Sequence, residues 1–180
     1  MPDYNSPQPL NKSHVLNNFD CGNEPLSSWL KKHASQSQSS GHTMTMVVTE
    51  AQSNIVIAYY SFSVISVEHS GTTPERVKKG LARYPIPVFL IARLAVDREH
   101  QGARLGSRLL LHALRRAALA AAENVPIRAV VVDAIDQSAK DFYRQFEFEP
   151  WPVDGFRLWL MMKDLQATLA EDGPKSGKKH

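Results

Sequence analysis

The sequence has little of what several common classes of protein require. Only one of its 180 residues is cysteine, Cys21, so an internal disulfide and a zinc site built from cysteines are both excluded. No apolar run approaches the roughly 20 residues of a membrane-spanning helix, and the polar start Met1–Pro9 does not resemble a signal peptide. We therefore expect a cytoplasmic protein with no membrane contact.

The short motifs of metal, nucleotide and hydrolase sites are also missing. The seven histidines include no H-x-x-x-H pair and no H-E-x-x-H, so we expect no metal. The chain contains neither G-x-G-x-x-G nor the P-loop, and it lacks the G-x-S-x-G of serine hydrolases. The two commonest nucleotide loops and Ser/His/Asp hydrolysis are therefore set aside.

Length and composition indicate one globular domain, which we place at residues 1–170. Hydrophobic residues make up 43% of the chain, an ordinary share for a globular protein. The net charge of +3 permits a nucleic-acid partner without requiring one. Residues 171–180 are rich in lysine and are expected to form a disordered basic tail.

The most informative stretch is Leu90–Ala122, which reads as a strand, a glycine-bearing loop and a helix. The apolar run Leu90–Val96 is followed by the polar segment Asp97–Gly106, and apolar residues at helical spacing begin at Leu105. The first N–H groups of a helix have no intrahelical partner and lie at its positive end, so such a loop can bind a pyrophosphate. From the spacing alone, an ordinary β–α turn is an equally good interpretation.

The rest of the chain predicts a mixed α/β sheet. Asn23, Glu24 and Pro25 mark the start of a helix. The element order is helix, β, β, β, helix, β, helix, β, an α/β arrangement with helices on both faces. The segments that carry no predicted helix or strand include 1–13, 35–41 (which ends the first helix), the basic loop 68–87, 146–152 and the polar end 163–170.

A resemblance to a known family appears at the glycine-bearing loop. Leu94–Asp97 followed by Gln101–Gly106 resembles the acetyl-coenzyme A motif of the GNAT N-acetyltransferases, [RQ]-x-x-G-x-[GA]. Arg104 stands where the middle glycine usually lies, and its Cβ restricts the backbone, although a guanidinium can bind phosphate oxygens. The resemblance implies the GNAT fold, a mixed, mostly antiparallel sheet with helices on both faces. It also implies acetyl-CoA as co-substrate.

The resemblance assigns roles to individual residues. A strand of Leu94, Ala95 and Val96 would pair with the pantetheine arm and polarise the thioester. Tyr143, in a segment similar to the family's A-x-x-F-Y, would be the general acid; from the residues alone, a core aromatic packed with Phe142 and Phe146 is the favoured interpretation. The remaining expected cofactor-binding residues are Gln101, Gly102, Ala103, Arg104, Leu105, Gly106, Ser107, Asp136 and Ser138.

The N-terminal third is similar to one branch of this family, the toxins of type II toxin–antitoxin pairs. The resemblance is carried by Phe19–Leu26, Trp29–Leu30 and Ile57–Tyr60. It implies acetylation of the α-amino group of aminoacyl-tRNA, which blocks translation. It also implies a ribbon-helix-helix antitoxin, contact with operator DNA only through that antitoxin, and a homodimer. The candidate tRNA contacts are the basic residues Lys31, Lys32, Arg76, Lys78, Lys79, Arg83 and Arg93.

Other interpretations stay open at this point. Lys31 and Lys32 fit a solvated helix face, and the basic loop fits a mobile segment without a ligand. No strong general base is evident, but an α-amino group with a pKa of about 7.7–8.0 needs none near neutral pH. Two alternative functions are an acetyltransferase for a small amine or a protein N-terminus, and a weakly catalytic protein that binds antitoxin and DNA, which Arg104 makes plausible.

Overall fold

A computed structural model describes residues 3–172, which build one seven-stranded sheet flanked by helices. The strands are β1 (Gln8–Pro9), β2 (Met44–Thr49), β3 (Val56–Val67), β4 (Ile86–Val96), β5 (Ala129–Asp133), β6 (Glu149–Pro150) and β7 (Arg157–Met161). The helices are α1 (Glu24–Lys32), α2 (Ala34–Ser39), α3 (Glu75–Lys78), α4 (Leu105–Ala122), α5 (Gln137–Arg144) and α6 (Met162–Glu171).

The sheet is mixed and mostly antiparallel, as the resemblance implied. Its order is β1-β2-β3-β4-β5-β7-β6, and only the β4–β5 pair is parallel. A parallel pair needs a crossover connection, and α4 provides it. The first residues of α4 therefore follow the carboxyl end of β4, where open α/β sheets bind their ligands.

Side chains alternate between the two faces of the sheet. In β5, Val130 and Val132 join the core under α4, α5 and α6, whereas Ala129 and Val131 join a cluster on the other face. Val77 of α3 completes that second cluster. Helices α1 and α2 cover the remainder of the same face, above Val47 and Tyr59 of β2 and β3.

Two helix predictions are confirmed in detail. The buried face of α4 consists of Leu105, Leu109, Leu110, Ala113, Leu114 and Ala117, the residues with the predicted helical spacing. Helix α1 begins after Asn23, whose side chain accepts a 3.1 Å hydrogen bond from the Leu26 N–H. Such a cap stabilises a helix by about 1 kcal/mol.

The structure corrects four of the segments predicted to lack helices and strands. Segment 163–170 lies in α6, because Met162 and Leu165 are buried in the core beneath α4. Segment 35–41 contains most of α2, a second helix that starts after a break at His33. Segment 1–13 contains the edge strand β1, and segment 68–87 contains α3. Each element depends on a distant partner that local spacing does not reveal.

A smaller correction falls in segment 146–152, which includes the two-residue strand β6 paired with β7. The proposed tail 171–180 lies outside the described residues except for its first two, and Glu171 still belongs to α6. None of the helices within residues 3–172 has the length and apolar character needed to cross a bilayer.

Candidate active site

The parallel strands β4 and β5 separate halfway along β4. Their ladder ends at the pair Ile91–Val132, whereas β4 continues to Val96. In the pairing with β3, Ser61 lies opposite Arg93 and Phe62 opposite Ile91, so Ala92 is an extra residue that forms a bulge. A bulge bends a strand. Among the described residues, segment 92–96 has β3 as its only strand partner, which leaves its other edge open to an extended ligand.

A cavity of about 330 Å³ lies beyond the end of β4. It is lined by Val96, His100, Gln101, Gly102, Arg104, Leu105, Gly106, Ser107 and Phe142. Within residues 3–172, the backbone N–H groups of residues 102–107 donate no hydrogen bond to protein. Unpaired N–H groups at the positive end of a long helix attract an anion such as a pyrophosphate.

Side-chain hydrogen bonds hold the loop before α4 in place. The Gln101 Nε2 donates to the carbonyl oxygens of Val96, at 2.9 Å, and Cys21, at 3.1 Å. The Asp97 carboxylate accepts from the N–H groups of Glu99 and Asp20. The loop is therefore tied both to the end of β4 and to the segment that precedes α1.

That N-terminal segment is the one that resembles the toxin branch, and its residues support the loop. The Asp20 Oδ1 accepts from the Gly22 N–H at 2.9 Å, and Gly22 has a φ of 86°. A Cβ at Gly22 would lie 3.3 Å from the Arg98 Nε, so both the turn and the close approach favour glycine. Phe19, with 1% of its surface exposed, packs against Tyr59 and anchors the segment in the core.

Arg104 lies in the left-handed region of the backbone map, with φ 59° and ψ 19°. It stands directly before α4, its side chain makes no capping hydrogen bond, and it is exposed at the cavity. The left-handed conformation costs a residue with a Cβ roughly 1–2 kcal/mol. The loop therefore keeps the backbone shape that glycine usually provides, at some cost in free energy.

At Gly106 the relevant property is the space available for a side chain at the cavity wall. A Cβ on this residue would lie 3.8 Å from the Val96 Cγ2 and 4.0 Å from the Phe142 Cζ, which is ordinary contact. The wall of the cavity thus has room for either glycine or alanine, in agreement with the last position of the motif.

Tyr143 lies on α5 with 6% of its surface exposed. Its ring packs against Phe142 and Phe148, at centroid distances of 5.2 and 5.8 Å. Burial, followed by the negative charge of Asp133, raises the pKa of the Tyr143 phenol above its usual value. The hydroxyl makes no hydrogen bond within residues 3–172 and stays protonated, so it is able to donate.

The cavity brings together most of the expected cofactor residues but not all of them. Val96, Gln101, Gly102 and residues 104–107 line it, whereas Leu94 and Ala95 lie upstream on the open part of β4. Ala103 belongs to the same loop without lining the cavity. Asp136 caps α5 by accepting a 2.8 Å hydrogen bond from the Ala139 N–H, and Ser138 is exposed in the first turn of α5.

Two cavity residues were not expected from the sequence. His100 lies inside the glycine-bearing loop, and its position there could have suggested it. Phe142 precedes Tyr143 on α5 and reaches the cavity only because α5 packs against the start of α4. No spacing within the sequence indicates that contact.

The seven candidate tRNA contacts fall into two groups. Lys31 and Lys32 are exposed on α1, and Arg93 stacks on Trp29 of the same helix with its Cζ 3.9 Å from the ring centre. Burial lowers the pKa of the Arg93 guanidinium, with the nearby Tyr59 acting in the opposite direction.

The second group belongs to α3 and the loop around it. Arg76 forms an ion pair with Asp164 at 2.8 Å, and Lys78 donates to the Ser70 carbonyl oxygen at 2.9 Å. Lys79 and Arg83 are exposed. Helix α3 packs where β4 begins, at the opposite end of that strand from Val96.

Comparison with known proteins agrees with this geometry. Residues 42–150 match the family described as the acetyltransferase (GNAT) domain. A curated relative, the tRNA-acetylating toxin of Mycobacterium tuberculosis (strain ATCC 25618 / H37Rv), is 34% identical over 95% of this chain and all of its own length. The chain therefore belongs to the GNAT acetyltransferases.

Solved structures show the same fold. AtaT complexed with acetyl-methionyl-tRNAfMet superposes with a TM-score of 0.82 at 23% identity, covering 93% of this chain and 99% of that one. AtaTR bound with AcCoA superposes with a TM-score of 0.81 at 24% identity, covering 93% of this chain and 98% of that one. The expectation of a GNAT fold is confirmed.

Proposed function

We propose that this chain is a toxin that transfers acetyl from acetyl-CoA to the α-amino group of aminoacyl-tRNA. One observation carries the proposal: a loop of unpaired N–H groups begins at the open end of β4. The 34% identity to a tRNA-acetylating toxin over nearly the whole chain supports the choice of substrate.

The residues around the cavity fit acetyl-CoA, which supplies an acyl group activated as a thioester. The N–H groups of residues 102–107 provide donors for a pyrophosphate, and the Ser107 side chain lies at the same cavity. The open edge of β4 at Leu94 and Ala95 provides backbone groups for the pantetheine arm. A backbone donor directed at the acyl oxygen favours nucleophilic attack.

Tyr143 is proposed as the general acid. Its phenol is protonated at neutral pH, as an ordinary tyrosine with a pKa of about 10 is, and burial together with Asp133 raises that pKa further. The ring is held by Phe142 and Phe148, so the hydroxyl has a defined position. A positioned proton donor contributes about 10²–10⁴ to a rate.

The substrate amine needs little help to become a nucleophile. An α-amino group has a pKa of about 7.7–8.0, so a useful fraction is neutral near pH 7. The task of the protein is then to hold that amine close to the acyl carbon, which contributes through proximity and orientation. A lysine side chain, with a pKa of about 10.4, is a poorer match to a site without an evident base.

The proposal extends to the partners of the protein. An acetylated α-amino group cannot attack in peptide-bond formation, so translation stops. We propose that a ribbon-helix-helix antitoxin neutralises the chain and carries it to operator DNA, as the AtaT–AtaR and KacTA complexes with DNA suggest. We also propose a homodimer acting in the cytoplasm, where charged tRNA is found.

Mass spectrometry of charged tRNA, incubated with the protein and isotopically labelled acetyl-CoA, tests the proposal. We expect the label on the α-amino group of the attached amino acid, with activity that falls as salt rises. Label only on small amines or protein N-termini would favour the first alternative function. Absence of acetyl-CoA binding in calorimetry would favour the weakly catalytic alternative.

A further inference from the structure

A second cavity lies at the other end of the sheet, away from the acetyl-CoA loop. Its volume is about 560 Å³, and α3, the end of α4, the start of β5 and the start of α6 form its walls. Four basic side chains line it: Arg76, Lys79, Arg128 and Lys163. Arg128 and Lys163 come from parts of the chain that were not among the candidate RNA contacts.

Arg128 is held rigidly at this cavity. Its guanidinium donates to the carbonyl oxygens of Arg76, Val77 and Lys79, at 3.2, 2.9 and 3.0 Å. These hydrogen bonds fix the short helix α3 and position its basic residues. The Nη1 atom of Arg128 makes no hydrogen bond within residues 3–172.

The charge of the cavity is only partly compensated. Asp164 pairs with Arg76 through two hydrogen bonds of 2.8 and 3.1 Å, and Glu149 lies near enough to influence the same guanidinium. The side chains of Lys79 and Lys163 are exposed and form no ion pair in the described part of the chain. None of the described residues that line the cavity is acidic.

The position of the cavity identifies what part of a substrate could reach it. The Arg128 N–H donates to the Pro87 carbonyl oxygen at 2.9 Å, which places Arg128 beside the beginning of β4. The acyl-transfer end of β4 lies at Leu94, seven positions further along the strand, or roughly 20 Å away at the usual rise per residue. A terminal nucleoside at the acyl group is too short to span that distance, whereas an acceptor stem is long enough.

We propose that this basic cavity binds the phosphate backbone of the acceptor stem of the substrate RNA. The inference rests on the proposed function, because it takes the aminoacyl end to lie at β4. Phosphates contacted at this distance contribute affinity and register without reading the bases. The cavity therefore selects charged tRNA over a free amino acid or a small amine.

The test compares Lys79→Gln/Lys163→Gln with a control that loses the same charge elsewhere, Lys12→Gln/Arg115→Gln. The four replaced side chains are all exposed, so both double variants should fold. The measurements are KM and kcat for charged tRNA, the same constants for aminoacyl-adenosine, and the salt dependence of charged-tRNA affinity in equilibrium binding.

We expect the cavity variant to raise KM for charged tRNA about tenfold with kcat unchanged, and to leave aminoacyl-adenosine kinetics unaltered. Losing two phosphate contacts should also reduce the salt slope of binding by about two. A KM and slope equal to those of the control would overturn the proposal. The proposal would also be overturned if the cavity variant lost affinity for an acidic antitoxin peptide while its RNA binding was unchanged. Failure of the wild-type protein to acetylate any charged tRNA would instead refute the proposed function, and equilibrium binding would still decide the cavity's role.

Discussion

The side-chain amide of Gln101 donates a 2.9 Å hydrogen bond to the main-chain oxygen of Val96. The same amide nitrogen also donates to the Cys21 oxygen at 3.1 Å. One side chain thus joins the end of the central strand, the cofactor loop and the N-terminal segment. The residue at the first position of the motif holds the loop here, and the backbone N–H groups of residues 102–107 that follow it donate no hydrogen bond within residues 3–172.

Replacing Gln101 with Ala should loosen the loop. Both carbonyl oxygens lose a donor, and hydrogen bonds of this kind contribute about 1 kcal/mol each. We expect the acetyl-CoA dissociation constant to rise about tenfold and the free energy of unfolding to fall by roughly 1–2 kcal/mol. Calorimetry and urea unfolding measure the two effects. The control is Gln36→Ala, because Gln36 is an exposed glutamine on α2. Equal behaviour of the two variants would show that the Gln101 hydrogen bonds are unimportant.

Replacing Arg104 with Gly should relieve backbone strain. With φ at 59°, the present residue adopts a conformation that glycine reaches freely, so we expect about 0.5–1 kcal/mol of added stability. Acetyl-CoA affinity should be kept or improved. Glu147→Gly is a matched control, because Glu147 also has a positive φ, of 68°, but lies away from the cavity.

The two glycine variants separate backbone strain from phosphate contact. If only strain matters, both gain stability and neither loses cofactor affinity. A collapse of affinity confined to Arg104→Gly would show that the guanidinium binds a phosphate of the cofactor.

Replacing Tyr143 with Phe should remove activity without disturbing the fold. The hydroxyl makes no side-chain hydrogen bond within residues 3–172, and the ring contacts with Phe142 and Phe148 are kept in the variant, so the fold should remain intact. Turnover should fall by about 10²–10⁴ while acetyl-CoA affinity is kept. Growth arrest, single-turnover acetylation and calorimetry provide the three readouts.

Tyr60→Phe gives the opposite pattern and serves as the control. The Tyr60 hydroxyl forms a 2.9 Å hydrogen bond with the His112 Nδ1 under α4. Its loss should cost about 1 kcal/mol of stability and leave turnover intact. Full toxicity of Tyr143→Phe would remove that phenol from the mechanism.

On the acidic side of the pH profile, the reaction rate should depend only on the ionisation of the substrate α-amino group. The rate should rise with pH through about 7.7–8.0 as the α-amino group loses its proton. The active form of Tyr143 is protonated, and its pKa is raised, so an alkaline decline should begin only above the usual tyrosine value of about 10. An amide-linked aminoacyl-tRNA, which resists alkaline hydrolysis, allows the profile to be measured. A decline below that value would contradict the assignment.

Local sequence was sufficient for the parts of the fold that depend on neighbouring residues. The start of α1 at Asn23, the buried stripe of α4 and the glycine-bearing loop follow from caps, spacing and loop composition. The same information did not reveal β1, α2, α3, β6 or α6. Those elements are short or polar, and their stability comes from contacts such as Leu165 in the core beneath α4.

The residues of the candidate site also divide into those that the local sequence indicates and those that only tertiary packing brings to the cavity. Residues 101–104 form the loop and residues 105–107 the first turn of α4, so the sequence shows that they are adjacent, and all of them except Ala103 line the cavity. Phe142 is absent from the expected set because it reaches the cavity through the packing of α5 on α4. The sequence groups the seven basic residues as one set of candidate tRNA contacts, yet the structure places those of α1 and those of α3 apart.

The amino-acid sequence alone determined the family, the strand–loop–helix unit and the chemistry available in its loop, because these depend on residues adjacent in the chain. Tertiary structure decided where β4 parts from β5, how Arg128 gathers the basic residues of α3 with Lys163, and how deeply Tyr143 is buried. Those features arise from pairing and packing between residues far apart in sequence, and the long-range contacts that determine them leave no local pattern.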